Sequence, residues 1–144
     1  MTTAFVLSGG ASLGSIQVGM LLALAEAGIA PDLIVGTSVG ALNGGWISSR
    51  PDIDGINGLA DLWRSLSRKD VFPTNLSVGF LGFIGQRQSL VSDSGLRRLL
   101  KEHLLFRRLE DAPIPLHVVA TDVLTGKDVL LSGGDQIDAL AASA

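Results

Sequence analysis

Leu33-Ile34-Val35-Gly36-Thr37-Ser38-Val39-Gly40-Ala41-Leu42-Asn43 joins a short apolar run to a glycine-spaced turn and then to residues able to start a helix. Leu33 to Val35 are apolar and partly β-branched, which suits a strand buried on both faces of a parallel sheet. Gly36-Thr37-Ser38-Val39-Gly40 is a G-x-S-x-G pentapeptide. In a strand-turn-helix bend of this kind a serine sits in a strained backbone conformation with its hydroxyl raised above the sheet edge. The positions two before and two after it must then be small, which Gly36 and Gly40 satisfy. The helix after this turn would direct its unsatisfied N–H groups and positive end at Ser38, favouring negative charge that develops there during acyl transfer. Ser38 is therefore the candidate nucleophile. The alternative is a glycine turn that only lets strand and helix pack closely.

Upstream, Phe5-Val6-Leu7 reads as a first strand feeding the glycine-rich turn Ser8-Gly9-Gly10-Ala11-Ser12-Leu13-Gly14. From Ser15 to Ala27 a helix is expected. Ile16, Val18, Met20, Leu21, Leu22 and Leu24 make it apolar around most of its circumference, so it should be central and buried. Gly28 ends it and Pro31 enforces the stop. The result is a β-α-β unit with a right-handed crossover. Nucleotide binding is disfavoured in the glycine turn. A dinucleotide fingerprint needs glycine where Ala11 stands, and a P-loop needs lysine before Ser or Thr where Ser15-Ile16 follows Gly14. What remains is an oxyanion hole of backbone N–H groups at Gly9, Gly10 and Ala11 facing Ser38, or else a turn that merely permits close approach.

Downstream, Ile56, Leu59, Ala60, Trp63 and Leu66 recur at helical spacing, with Asp54-Gly55 at a helix-start turn. Trp46 and Trp63 read as core or edge packing residues, with ligand stacking as the alternative. Residues 78–85 are apolar without a clean period and read as a buried connection or a flap over a pocket mouth. Leu96, Leu99, Leu100, His103 and Leu104 form one helical face, opposite Arg97, Arg98, Lys101 and Glu102. That basic group is a solvated face, or else a contact for lipid phosphate. Pro113 and Pro115 precede a strand from Leu116 to Asp122, which Thr125-Gly126-Lys127 turns into a second strand from Asp128 to Ser132. His117 lies within the first of these and Asp122 at its end, where capping of the turn is expected. A helix pattern runs from Gln136 to Ala144.

The 144 residues suffice for one domain, 1–144, with a real core. The composition is 47% hydrophobic and 17% charged with 18 glycines, so much of the chain should be buried. Eleven basic against 14 acidic residues give a net charge of -3, which offers no global attraction for nucleic acid. The absence of cysteine excludes a disulfide framework, a thiol nucleophile and cysteine metal sites. No metal or other cofactor is expected. The N-terminus lacks a basic region of the signal-peptide kind, and no apolar run approaches the length of a spanning helix. A soluble cytoplasmic protein, with peripheral membrane contact, is expected.

Leu7-Ser8-Gly9-Gly10 with Gly14, Gln17, Val18 and Gly19, followed by Gly36-Thr37-Ser38-Val39-Gly40-Ala41-Leu42-Asn43, resembles the N-terminal part of bacterial patatin-like phospholipases. Val118 to Lys127 is similar to that family's middle strand pair, and Ile137 to Ala144 to the segment ahead of its catalytic acid. The resemblance implies a three-layer α/β/α fold with a mostly parallel sheet, a serine-aspartate dyad, and hydrolysis of acyl esters in lipids. The chain departs from the family at Ala11, where a third glycine is usual, and at Leu13, where arginine or lysine is usual. An alanine N–H still donates, but Leu13 removes positive charge near the oxyanion. The family's aspartate belongs to an Asp-Gly turn beyond residue 144, so the chain reads as an N-terminal portion of the fold, weak or inactive alone. Two alternatives stand beside this: a non-catalytic lipid- or acyl-binding module, and a triad esterase with His117 as base.

Overall fold

The computed structural model describes residues 2–66 and 93–144. These belong to two compact units, Met1–Arg64 with Leu104–Ala144, and Ser65–His103. The first unit is built on a four-stranded sheet of β1 (Ala4–Leu7), β2 (Leu33–Thr37), β3 (Leu116–Thr121) and β4 (Asp128–Leu131), in that spatial order. The first three strands are parallel and β4 is antiparallel. Phe5 pairs with Ile34 and Ile34 with Leu116, so one row of apolar side chains crosses the sheet beneath its helices.

Those helices are α1 (Gly14–Glu26), α2 (Val39–Ile47), α3 (Ile53–Ser65) and α5 (Gln136–Ser143), with α4 (Ser94–His103) belonging to the second unit. Helix α2 packs across β1, β2 and β3, and α5 packs on β3 and α2. Small residues permit the approach: a Cβ placed at Gly44 would lie 2.9 Å from Ile34 Cγ2 and 3.2 Å from Leu116 Cδ1. Ile34, Val118 and Leu140 are fully buried in the resulting core. This is the mostly parallel α/β arrangement that the sequence leads one to expect.

Two expectations need correction. Strand β2 is buried on one face, at Ile34 and Gly36, while Leu33 and Val35 on the other remain half-buried. The reason is that α2 covers only the Ile34 side. Helix α1 is not a central buried helix either. Only Gly14, Val18 and Leu21 are buried, while Ile16 and Met20 are 60% and 62% exposed. Its apolar residues surround the axis, so periodicity could not say which side faces the protein.

Other expectations hold. Helix α1 stops at Gly28, with φ +71, in a Schellman arrangement: Ile29 N–H donates to Leu24 O and Gly28 N–H to Ala25 O, each at 2.9 Å. The β3–β4 hairpin closes as Asp122 accepts from the N–H groups of Leu124 and Thr125 at 2.9 Å. Those backbone bonds, Thr125 first, hold the Asp122 carboxyl below its usual range. Asp54 lies in the first turn of α3. In α4, Gly95, Leu96 and Leu100 are buried and Arg97 pairs with Asp93 at 2.6 Å. The 78–85 stretch lies outside the described residues.

Helix α5 starts from a latched turn. Asp135 caps it, accepting from Ile137 and Asp138 N–H at 2.9 and 3.1 Å. Gln136 N–H donates to Arg107 O, and Leu109 N–H to Gly134 O, both at 3.0 Å. Glu110 accepts from Gly134 N–H at 2.8 Å and pairs with Arg108. Its own backbone N–H, then Arg108, then Gly134 hold its carboxyl below the ordinary carboxylate range.

The tightest constraint is where the bend meets β1. A Cβ on Gly40 would lie 2.1 Å from the Leu7 carbonyl oxygen and 2.7 Å from that of Ser8. Both obstacles are backbone and neither can swing aside. Gly40→Ala is expected to lower stability by about 3 kcal/mol or more, read as a shift of the urea midpoint at unchanged m-value.

Candidate functional site

Ser38 stands between the last residue of β2 and the first of α2, with φ +51 and ψ −125. Such a conformation costs a non-glycine residue on the order of 1–3 kcal/mol and persists only where surroundings enforce it. The enforcement is visible on both sides. Gly40 is pressed against β1 as described, and a Cβ on Gly36 would lie 2.5 Å from Ala41 Cα and 2.7 Å from Gly40 O. Ala41 and Leu42 N–H groups close the first helical turn onto Ser38 O at 2.8 and 3.2 Å, so the helix starts directly from the bend rather than at Ala41. Ser38 itself is half-buried.

The glycine turn runs alongside. A Cβ on Gly9 would touch Ser38 Cβ at 3.4 Å and Thr37 O at 3.7 Å, so the backbone at Gly9 lies against the serine. Gly10 comes next, and Ala11 opens a 3-10 turn, Ala11–Leu13, closed by Leu13 N–H to Gly10 O at 2.9 Å. Ala11 has φ +48, a left-handed conformation in which a Cβ is disfavoured and glycine is not. Of the residues proposed from sequence, Gly9 thus lies beside Ser38, with Gly10 and Ala11 next along an exposed loop.

A side-chain network that pattern reading missed fixes this loop. Asn43, 2% exposed on α2, donates to Gly14 O at 3.0 Å and to Gln17 Oε1 at 2.9 Å. It accepts from the Trp63 indole N–H at 3.0 Å. Gln17 then donates to Ser8 O at 2.7 Å, immediately before Gly9. Three helices thereby hold one loop carbonyl, and Trp63 is a hydrogen-bonding anchor as well as a packing residue. Trp46 likewise donates, to Gly55 O at 2.7 Å, and carries the Arg50 guanidinium 4.3 Å from its ring centroid.

A second missed contact reaches the serine from the far end of the chain. Ser38 N–H donates to Ser143 Oγ at 2.8 Å, and the Ser143 hydroxyl donates to Val119 O on β3. No local pattern reports a partner 105 residues away.

His117 is placed elsewhere. It lies opposite Val35, and its Nδ1 is 2.6 Å from Ser132 Oγ. Asp135 is committed to the α5 cap. Among the described residues no group of three or more His, Asp or Glu side chains is arranged to hold a metal ion, and no helix is long and apolar enough to cross a membrane.

This strand, strained serine and adjoining glycine loop can be compared with known proteins. The family model described as patatin-like phospholipase matches residues 5–144. The chain belongs to that family. It is similar to patatin-like phospholipase domain-containing protein 7 of Rattus norvegicus, with 32% identity over 120 residues, covering 83% of this chain and 8% of the rat protein. It is also similar to neuropathy target esterase sws of Drosophila persimilis, 31% identical over 118 residues, covering 82% of the chain and 8% of the relative. With lysophospholipase nte1 of Aspergillus terreus it shares 47% identity over 55 residues, 38% of the chain and 4% of the relative. The chain therefore spans less than a tenth of the length of these relatives.

Two substitutions test this geometry. Ser143→Ala leaves the Ser38 N–H without its acceptor and is expected to destabilise by about 1–3 kcal/mol, measured by urea denaturation. Ala11→Gly, which removes the side chain at positive φ, is expected to raise stability by up to about 1 kcal/mol in the same assay.

Proposed function

We propose that the chain carries the nucleophile and the oxyanion-binding loop of a serine-dependent lipid acyl hydrolase, a carboxylic ester hydrolase of the patatin-like type. Ser38 attacks the ester carbonyl, and backbone N–H groups around Gly9, Gly10 and Ala11 receive the developing oxyanion. Gly36 and Gly40 form the elbow that raises the serine. The observation that carries this reading is the strained Ser38 with the Gly9 backbone against it. Family membership and relatives named as a phospholipase and a lysophospholipase support a lipid ester as substrate.

A serine hydroxyl is a poor nucleophile until a base takes its proton. In this proposal the base is the aspartate of a Ser-Asp dyad, supplied from outside residues 1–144, and those residues are the N-terminal portion of a single patatin-like domain. A carboxyl titrates near ~3.9 when free, so burial must raise it for that work near neutrality. Against His117 as base stands its hydrogen bond to Ser132 and its register with Val35, three residues before Ser38. The protein acts in the cytoplasm at a lipid surface, without a metal or other cofactor.

Treatment with a fluorophosphonate, followed by mass spectrometry of the adduct, tests the assignment. Labelling at Ser38 is expected in a chain extended through the family's Asp-Gly turn, abolished by Ser38→Ala and retained in His117→Ala. An adduct elsewhere, or none in the extended chain, overturns it and favours a non-catalytic lipid-binding module. The 144-residue chain alone is expected to show weak or no ester turnover, and hydrolysis equal to that of the extended chain would remove the dyad.

A further inference from the structure

The polar side chains behind the glycine loop form a series whose chemistry admits one direction. An indole N–H only donates, so Trp63 turns the Asn43 Oδ1 toward itself at 3.0 Å. The Asn43 amide nitrogen then faces Gly14 O and Gln17 Oε1, at 3.0 and 2.9 Å. With its oxygen so engaged, Gln17 presents Nε2 to the Ser8 carbonyl at 2.7 Å. Asn43 is 2% exposed, and reversing the amide of either residue would set donor against donor.

The acceptor at the end of this series belongs to the peptide that carries the Gly9 N–H. In a planar trans peptide C=O and N–H point in opposite directions, and no cis peptide bond occurs among the described residues. Ser8 O is turned inward, toward Gln17 and toward Gly40, where a Cβ would lie 2.7 Å from it. The Gly9 N–H is therefore turned outward, on the stretch of loop that lies against Ser38. The Gly10–Ala11 peptide is fixed differently, because Gly10 O accepts from Leu13 N–H at 2.9 Å within the 3-10 turn. Backbone thus aims the Ala11 N–H, whereas a side chain aims that of Gly9.

Resting on the serine-hydrolase reading above, we infer that Gln17 is a positioning residue for the reaction: it holds the Ser8–Gly9 peptide so that the Gly9 N–H meets the oxyanion formed when Ser38 attacks. Gln17 touches no reacting atom. Without it the exposed Ser8 carbonyl takes water instead, the peptide gains freedom to rotate, and the donor must be aligned during the reaction and not before it. The effect falls on the transition state, since the N–H bonds a charged oxygen more strongly than a neutral ester carbonyl.

The test uses the chain extended through the family's Asp-Gly turn, with p-nitrophenyl butyrate as substrate. Gln17→Met keeps an unbranched side chain of good helix preference but has no donor. Its kcat is expected to fall about ten- to a hundredfold, with KM within about twofold of wild type. A trifluoromethyl ketone reports on the oxyanion itself: the Ser38 oxygen bonds to the ketone carbon, the hydroxyl proton passes to the base, and the former carbonyl oxygen keeps the negative charge. Its inhibition constant is expected to rise by the factor that kcat/KM falls. That of the matching trifluoromethyl carbinol, which forms no adduct, is expected to stay unchanged. Trp46→Phe removes the bond to Gly55 O, outside the loop, and serves as the control for lost stability, with kcat expected as in wild type. Equal weakening of ketone and carbinol overturns the inference, as does a kcat loss in Trp46→Phe matching that of Gln17→Met. An active wild type beside an equally active Gln17→Met removes the inference and leaves the hydrolase reading standing. A wild-type extended chain that neither turns over the ester nor takes fluorophosphonate at Ser38 removes both.

Discussion

A contact between two stretches of backbone governs this structure. The bend after β2 lies so close to the end of β1 that nothing larger than hydrogen fits at Gly40. That proximity brings the start of α2, the end of β2 and the glycine loop after β1 to one point. Ser38 is the residue left to absorb the turn, and it does so at positive φ. The strain of this one residue is offset by what the bend makes possible: a buried α2 lying across three strands, with Ile34 and Val118 fully enclosed beneath it.

Around that point the molecule uses polar side chains as ties. Asn43 gathers α1, α2 and α3 through Gly14, Gln17 and Trp63, and Gln17 passes the restraint to the carbonyl before Gly9. From the other side, Glu110 and Asp135 set where α5 begins, and Ser143 at its end holds the serine's own N–H. Leaving such a partner out would strand a poorly solvated donor or acceptor, so each tie acts more strongly as a constraint than as net stabilisation.

What the sequence made legible was whatever a short window encodes. Gly36 and Gly40 around Ser38, the Gly28 stop and the Asp122 hairpin turn depend on residues within a few positions of one another. All stand as the local chemistry demands. The outward face of α1 was not legible because a helix apolar on every side has no preferred direction until its neighbours are known. Asn43, Gln17 and Trp63 were each visible, Gln17 and Asn43 as part of the family resemblance and Trp63 as packing, but their mutual bonding depends on three helices meeting. Ser143 was further out of reach, since a serine near the end of a small-residue helix carries no sign that it addresses the bend.

The bond from Ser38 to Ser143 also imposes an order on biogenesis. A ribosome releases the glycine loop and the serine before β3 and α5, which supply the strand beside β2 and the hydroxyl that receives the serine's amide about 80 to 105 positions later. A growing polypeptide therefore carries the Ser38 bend without this partner until residue 143 has emerged. The Ser38 amide gains this partner only when α5 docks on β3 and α2, so the bend is fully tied by a distant helix and not by translation of the motif alone.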